Sequence, residues 1–221
     1  MFGLRMHNTP LPNIKSTIYN EPVMQSEHKT KSKPILIIFL VIMAGMIITG
    51  IVFNAQIKVF LDKPALYRHV LFVHILAVTL FFANAVVGML WEMRALASER
   101  REIVFHTYDT VAWLDARFSS PLIIVSVTSG IILSLMIGNI WEIGWLFLAF
   151  LLFMFSGLVW VISDIPTQYK IKELIAQVDP DAQVLPEELM RLLKLRLRIS
   201  LAGVSPLFIV FILMIYKPDI L

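Results

Sequence analysis

The sequence has no cysteine. Disulfides, thiolate metal sites and cysteine nucleophiles are therefore excluded. Charge is also scarce: 16% of the 221 residues are Asp, Glu, Lys or Arg, against 58% hydrophobic. With a mean hydropathy of +0.78, the chain is too apolar for a soluble domain of this length. Charge is missing altogether from residues 35–53, 70–91, 118–137, 143–163 and 199–216. Each stretch approaches the roughly 20 apolar residues that cross a bilayer as a helix. None shows the polar–apolar alternation of a barrel strand, and lipid admits only helices or closed barrels. No hydrolase motif and no phosphate-binding glycine loop is visible.

What is present predicts an all-α fold: a polytopic membrane helix bundle with five transmembrane helices. Residues 1–33 read as a disordered cytoplasmic tail, polar and interrupted by Pro10, Pro12 and Pro22. Its histidines, His7 and His28, read as solvent-exposed. Residues 34–221 read as a single transmembrane domain opened by Pro34 at a first helical position. The first apolar run begins only at Ile35, which argues against a cleavable signal peptide. Pro10 and Pro12 disfavour the helix of a mitochondrial presequence.

Orientation follows from the basic residues between spans. One side carries Arg5, Lys15, Lys29, Lys31, Lys33, Arg94, Arg100, Arg101, Arg117, Lys170, Lys172, Arg191, Lys194, Arg196 and Arg198. The other carries Lys58, Lys63, Arg68 and Lys217. The N-terminus is thus expected in the cytoplasm and the C-terminus outside. The net charge of +3 reflects anchoring to the inner leaflet and calls for no nucleic acid.

The second span organises the chain. It holds the only histidine inside an uncharged apolar run, His74, and an amide, Asn84. At 100° per residue, His74, Phe81, Gly88 and Glu92 fall on one stripe. Asn84 lies about 80° away and His69 about 140°. A polar stripe in a membrane helix faces protein, so the neighbouring helices are expected to close around this one. Without a metal, His74 is expected to donate a hydrogen bond to a neighbouring helix or to bridge waters at the outer interface; if it binds iron, its second ring nitrogen is expected to meet a carbonyl, a hydroxyl or water.

Between the second and third spans, Ile103, Val104, Val111, Leu114 and Phe118 share an apolar arc on a helix. His106, Asp109, Thr110, Trp113 and Arg117 lie opposite. The pattern reads as an interfacial segment, with His106 and Asp109 solvated. In the third span Ser126, Gly130, Ser134 and Gly138 recur every four residues, a spacing that lets helix backbones approach closely. That face reads as helix packing. The link from Gly138 to Glu142 is short and predicts antiparallel neighbours. Asp164, at the end of the fourth span, reads as a cap or as the partner of a basic residue. Pro186-Glu187-Glu188 starts a helix that runs to Tyr216, about 46 Å long. Arg196 and Arg198 are expected to snorkel, and Pro206 to kink the helix.

From His74 to Pro218 the chain resembles a family of small bacterial integral membrane proteins of unknown function. The matching features are His74-Ile75-Leu76-Ala77-Val78, Asn84, Gly88, Trp91, Pro121, Thr128-Ser129-Gly130 and Gly144-Trp145-Leu146. They continue with Ser156-Gly157-Leu158-Val159-Trp160, Pro166-Thr167-Gln168 and Leu213-Met214-Ile215-Tyr216-Lys217-Pro218. The resemblance implies a four-helix core with an additional N-terminal span, placed in a bacterial inner membrane. More remotely, the pattern is similar to the copper-resistance D proteins and to HemJ-type protoporphyrinogen oxidases. Those are haem-b membrane proteins with a histidine in this place, and the latter end in a comparable Lys-Pro. Phe81 stands where HemJ-type proteins carry tryptophan, and their following Pro-Arg is absent.

Three functional readings stand. The first is a haem-b-binding or redox accessory protein, with His74 as iron ligand and Met136, Met214 or Lys217, at comparable depth, as partner. The second is a cofactor-free scaffold or accessory subunit of a membrane complex, or a homo-oligomer. The third is a metal-handling or transport partner, against which stand the uncharged spans and the lack of an inverted repeat. In each the lipid bilayer is the constant partner, and the balance lies with a non-enzyme. Reporter fusions placed after Ile137 and after Tyr216 should both register the outer side; a cytoplasmic signal at both would overturn the orientation.

Overall fold

The computed structural model describes residues 22–61, 63–138, 140–179 and 184–220. All regular structure among them is helical. The chain divides into two compact units, Met1–Gly45 and Met46–Leu221. Helix α1 covers Pro22–Val52, so helical backbone begins ahead of Pro34. Most of the expected tail, with His7, lies outside the described residues. The short α2, Asn54–Leu61, follows. Then come α3 (Pro64–Ser98), α4 (Arg101–Leu114), α5 (Ser120–Ile137), α6 (Gly144–Val159), α7 (Ile165–Gln177) and α8 (Glu187–Tyr216).

Two π-turns, Asp115–Ser119 and Trp160–Asp164, join α4 to α5 and α6 to α7 without a break. Each closes with an i→i−5 bond: the Ser120 N–H donates to the Asp115 carbonyl, and the Ile165 N–H to the Trp160 carbonyl. Their cause is legible. Pro121 and Pro166 each stand two residues beyond a π-turn. A proline has no N–H to give, and its ring clashes with the carbonyl four residues back; widening the preceding turn relieves the clash. Ser120 Oγ donates to the Asp115 carbonyl at 2.8 Å, and Thr167 Oγ1 to the Ser163 carbonyl at 2.7 Å.

Four helices are long and apolar enough to cross a membrane: Ala65–Ser98, Arg101–Ile137, Gly144–Gln177 and Glu187–Tyr216. A shorter apolar helix covers Leu36–Val52. The chain is an integral membrane protein, and its exposed surface agrees. Phe72 (67% exposed), Ile212, Leu158, Phe155 and Ile209 stand outward along the spans, where lipid replaces water.

The long helices overshoot the bilayer. At 35 residues α3 is about 52 Å long, against ~30 Å of hydrocarbon. Where α3, α4, α7 and α8 overshoot together they build a core of the kind found in soluble proteins. Leu189, Leu192 and Leu193 form one stripe of α8 and pack with Val104 and Tyr108 of α4, Ala95 and Leu96 of α3, and Ile171 of α7. Residues 103–117 were expected to lie along the interface; they instead begin one continuous helix with α5. Val104, Tyr108 and Val111 are buried, while His106, Asp109, Trp113 and Arg117 remain exposed. The reason is that the apolar face of α4 meets the leucines of α8 rather than lipid headgroups.

Packing within the second unit is by pairs. Helix α3 packs chiefly on α5, α6 chiefly on α8, and α3 also touches α8. Despite the short link between them, α5 and α6 hardly touch, and an open cavity occupies the space. Truncating the buried Leu193 to Ala should cost about 2–5 kcal/mol. The same change at lipid-facing Phe72 should cost well under ~1 kcal/mol in detergent. Denaturant melts of the two variants in one detergent check the contrast, and equal losses would refute it.

Candidate functional site

The face of α3 that carries His74, Phe81, Gly88 and Glu92 points into the bundle along its whole length. Gly88 is buried against Val111 of α4, with a Cβ there meeting the valine at an ordinary 3.5 Å. Asn84, beside the stripe, donates from Nδ2 to Ser119 Oγ at 2.9 Å. That bond ties α3 to the first π-turn. The two ends of the stripe, eighteen residues and about 27 Å apart, hold different chemistry.

At one end stands His74. Its Nδ1 lies 3.0 Å from the Ser126 carbonyl oxygen and 3.1 Å from Ser129 Oγ, both on α5. A carbonyl oxygen only accepts, so Nδ1 carries a proton, and in the neutral ring Nε2 then keeps its lone pair. Nε2 has no hydrogen-bond partner among the described residues. Gly130 makes the approach fit, since a Cβ there would sit 3.1 Å from His74 Cε1.

His74 lines a cavity of about 620 Å³ between the α3–α5 and α6–α8 pairs. That is the size of a typical cofactor or ligand site. Ser126, Gly130, Ser134 and Gly138 all line it. The small-residue face thus receives His74 at Ser126 and Gly130 and forms cavity wall elsewhere. Ser126 Oγ and Ser134 Oγ donate to carbonyls of their own helix, Leu122 at 2.6 Å and Ile131 at 2.8 Å, which spends their polarity there. Met214 and Lys217 line the same cavity; Met136, on α5, is not among its lining residues. Lys217 ends α8 in the left-handed region, φ 44° and ψ 53°. Its ammonium lies 5.7 Å from the centre of the Trp145 ring. Aromatic walls come from Phe81, Phe82, Phe153 and Trp145, with the Phe82 ring also tilted against Phe211 at 5.0 Å between centroids.

At the other end lies a group of which the sequence reading caught one pairing, Asp164 with a basic residue, here Arg196, and missed the rest. Arg196, expected to snorkel, is only 3% exposed. Its NH1 donates to Glu92 Oε1 of α3, and its Nε to Asp164 Oδ1 at 3.3 Å. Its NH2 pairs with Asp115 Oδ2 at 3.6 Å, and its guanidinium lies 5.3 Å above the Tyr108 ring centre. Asp164 Oδ2 also accepts from Gln168 Nε2 at 2.7 Å. Glu92, 2% exposed, leaves Oε2 without a partner among the described residues. Both aspartates belong to the π-turns, whose extra residue aims them at α8. The available signal was positional: Glu92, Asp115, Asp164 and Arg196 each lie within a few residues of a span end on one side. No group of three or more histidines, aspartates or glutamates suited to a metal ion occurs among the described residues.

A family model described as "Predicted integral membrane protein (DUF2269)" matches residues 68–218. No curated protein and no solved structure matches the chain.

The cluster generates a stability prediction. Arg196→Met leaves three carboxylates crowded without a counter-charge and should cost about 3–5 kcal/mol. Glu92→Gln alone should cost less, and the double variant should recover part of the loss. Melting temperatures in detergent measure all three; an Arg196→Met protein that melts with the wild type would remove the cluster as a structural tie.

Proposed function

The chain belongs to this family of predicted integral membrane proteins, and on that premise we propose that it is a haem-b-binding or redox accessory protein whose iron ligand is His74. The observation that carries the reading is the state of His74. Its Nδ1–H is held by a backbone carbonyl, while Nε2 is left with its lone pair beside a cavity of about 620 Å³. An imidazole oriented through one nitrogen and basic at the other is the arrangement that metal-ligating histidines adopt. The residues present fit the group: apolar and aromatic walls, a thioether at Met214 and cations at Lys58 and Lys217.

When bound, haem would supply one-electron chemistry. The chain's own part is to orient His74, exclude water and offer Met214 as a second donor. Lys217 suits iron less than Met214 does. An ammonium set over an indole ring has no lone pair to give. We place the cavity at the outer end of a five-span protein in a bacterial inner membrane, with the N-terminus inside. Support comes from the basic bias and from Leu36–Val52, which adds an apolar helix to the four long ones.

The purified wild type, as isolated or after incubation with hemin, should show a Soret band. His74→Ala should abolish it while keeping most of the melting temperature; His74→Met should retain a fraction. A haem-loaded His74→Ala protein with an unchanged spectrum would remove His74 as the ligand. A wild type that binds no haem under either condition would make His74 a structural hydrogen-bonding residue. The protein would then be a cofactor-free accessory subunit.

A further inference from the structure

We propose that the cavity selects an amphiphile bearing anionic groups, carboxylate or phosphate, and that Lys58 and Lys217 hold those groups at its rim. The proposal rests on the reading of the cavity as a ligand site and names the chemistry of what enters it. Two sources share that chemistry: the carboxylate arms of a haem and the headgroup of an anionic phospholipid.

The charge of the wall is one-sided. Lys58, on α2, and Lys217, at the end of α8, both line the cavity, and no Asp or Glu does so among the described residues. Both lysines are exposed, so they stand where the cavity meets the surface. The general topology bias does not account for them. It gathers basic residues at the opposite end of the bundle and leaves this end only Lys58, Lys63, Arg68 and Lys217. Two of these four face one cavity.

Lys217 is also not placed as a snorkelling lysine is. A snorkelling side chain runs outward to water. Here the left-handed turn at φ 44° ends α8, the Lys217 N–H bonds the Leu213 carbonyl at 2.9 Å, and the ammonium is set against Trp145 of α6. The charge is therefore carried across the rim from one helix to another. Below the rim the wall turns apolar and aromatic as far as His74. A cationic rim above an apolar interior is complementary to a molecule with an anionic head or arms on an apolar body.

The test uses the full chain in a non-ionic detergent and the double variant Lys58→Gln/Lys217→Asn. Asparagine is chosen because it tolerates the left-handed backbone at that position. Two probes are hemin and hemin dimethyl ester, which lacks the anionic carboxylates. Two more are phosphatidylglycerol and phosphatidylcholine brominated on their acyl chains, read by quenching of the fluorescence component that Trp145→Phe removes.

If haem carboxylates are the occupant, hemin should bind the double variant about tenfold more weakly than the wild type. The dimethyl ester should bind both alike, and Lys217→Arg should keep wild-type affinity. If the occupant is a lipid headgroup, brominated phosphatidylglycerol should quench more than phosphatidylcholine, and the preference should vanish in the double variant. That second result without any hemin binding would uphold the anionic rim while removing the haem reading. Hemin bound through His74 with no lysine dependence, together with equal quenching by the two lipids, would overturn the rim and leave His74 standing. The absence of both hemin binding and a lipid preference would overturn both.

Discussion

Four helical runs of the second unit meet at one guanidinium, that of Arg196 on α8. Lipid tails are as apolar as the side chains they would replace, so membrane helices gain little from the hydrophobic effect when they associate. Something else has to hold them in register. Arg196 does it by contacting a different partner on each helical run: Glu92 on α3, Tyr108 and Asp115 on the α4–α5 run, and Asp164 on the α6–α7 run. Its planar fork of five donors suits it to that number of partners; a lysine would reach fewer and would hold none of them in plane. Charges taken out of water are costly singly and tolerable together, so the cluster defines a single arrangement even where its net stabilisation is small.

The leucine core next to the cluster completes the clamp. Water reaches that end of the molecule, so the stripe of Leu189, Leu192 and Leu193 gains from burial as a soluble protein would. Ordinary hydrophobic packing and the ionic tie therefore work side by side. At the His74 end the buried side chains, Ala77 and Val127 among them, lie within the spans, where lipid is as apolar as they are. There α3 meets α5 in a close approach over Gly130 and through the contacts of His74 Nδ1 with Ser126 and Ser129. The clamp at one end is what lets the helices stand apart at the other.

Much of this was legible in the sequence, for physical reasons that can be named. The five uncharged runs, read as five spans because bilayer thickness dictates the length of an apolar run, fall on four long apolar helices and the shorter Leu36–Val52. The inward stripe of α3 follows from helical period alone, and Asn84 meets Ser119 because an amide in that setting requires a partner. That His74 donates to a neighbouring helix was one of the readings open from the sequence, although Ser126 and Ser129 could not be named as its partners. What escaped were long-range pairings. Arg196 looks like any arginine at a span end until Glu92, 104 residues away in sequence, is placed beside it. Residues 103–117 read as interfacial because the apolar partner of α4 lies in α8, which periodicity cannot reveal. The short link after Gly138 suggested adjacent helices, whereas packing preferences pair α5 with α3 and α6 with α8.

The two prolines connect these observations. Pro121 and Pro166 fall at equivalent places in two different helical runs, each two residues past a π-turn that contains an aspartate of the cluster. In a regular helix a residue before the turn keeps a fixed angular relation to residues after it. The extra residue of a π-turn shifts that relation by about one helical step, roughly 100°. Asp115 and Asp164 can therefore face Arg196 while the segments beyond them serve other contacts: Ser126 and Gly130 meet His74, and Ala149 and Phe153 form cavity wall. Without the shift, a face chosen for the cluster would impose its angle on the cavity. The prolines thus uncouple the orientation of the clamp from that of the wall within each run, which allows a charged end and an apolar cavity to be built from the same four helices.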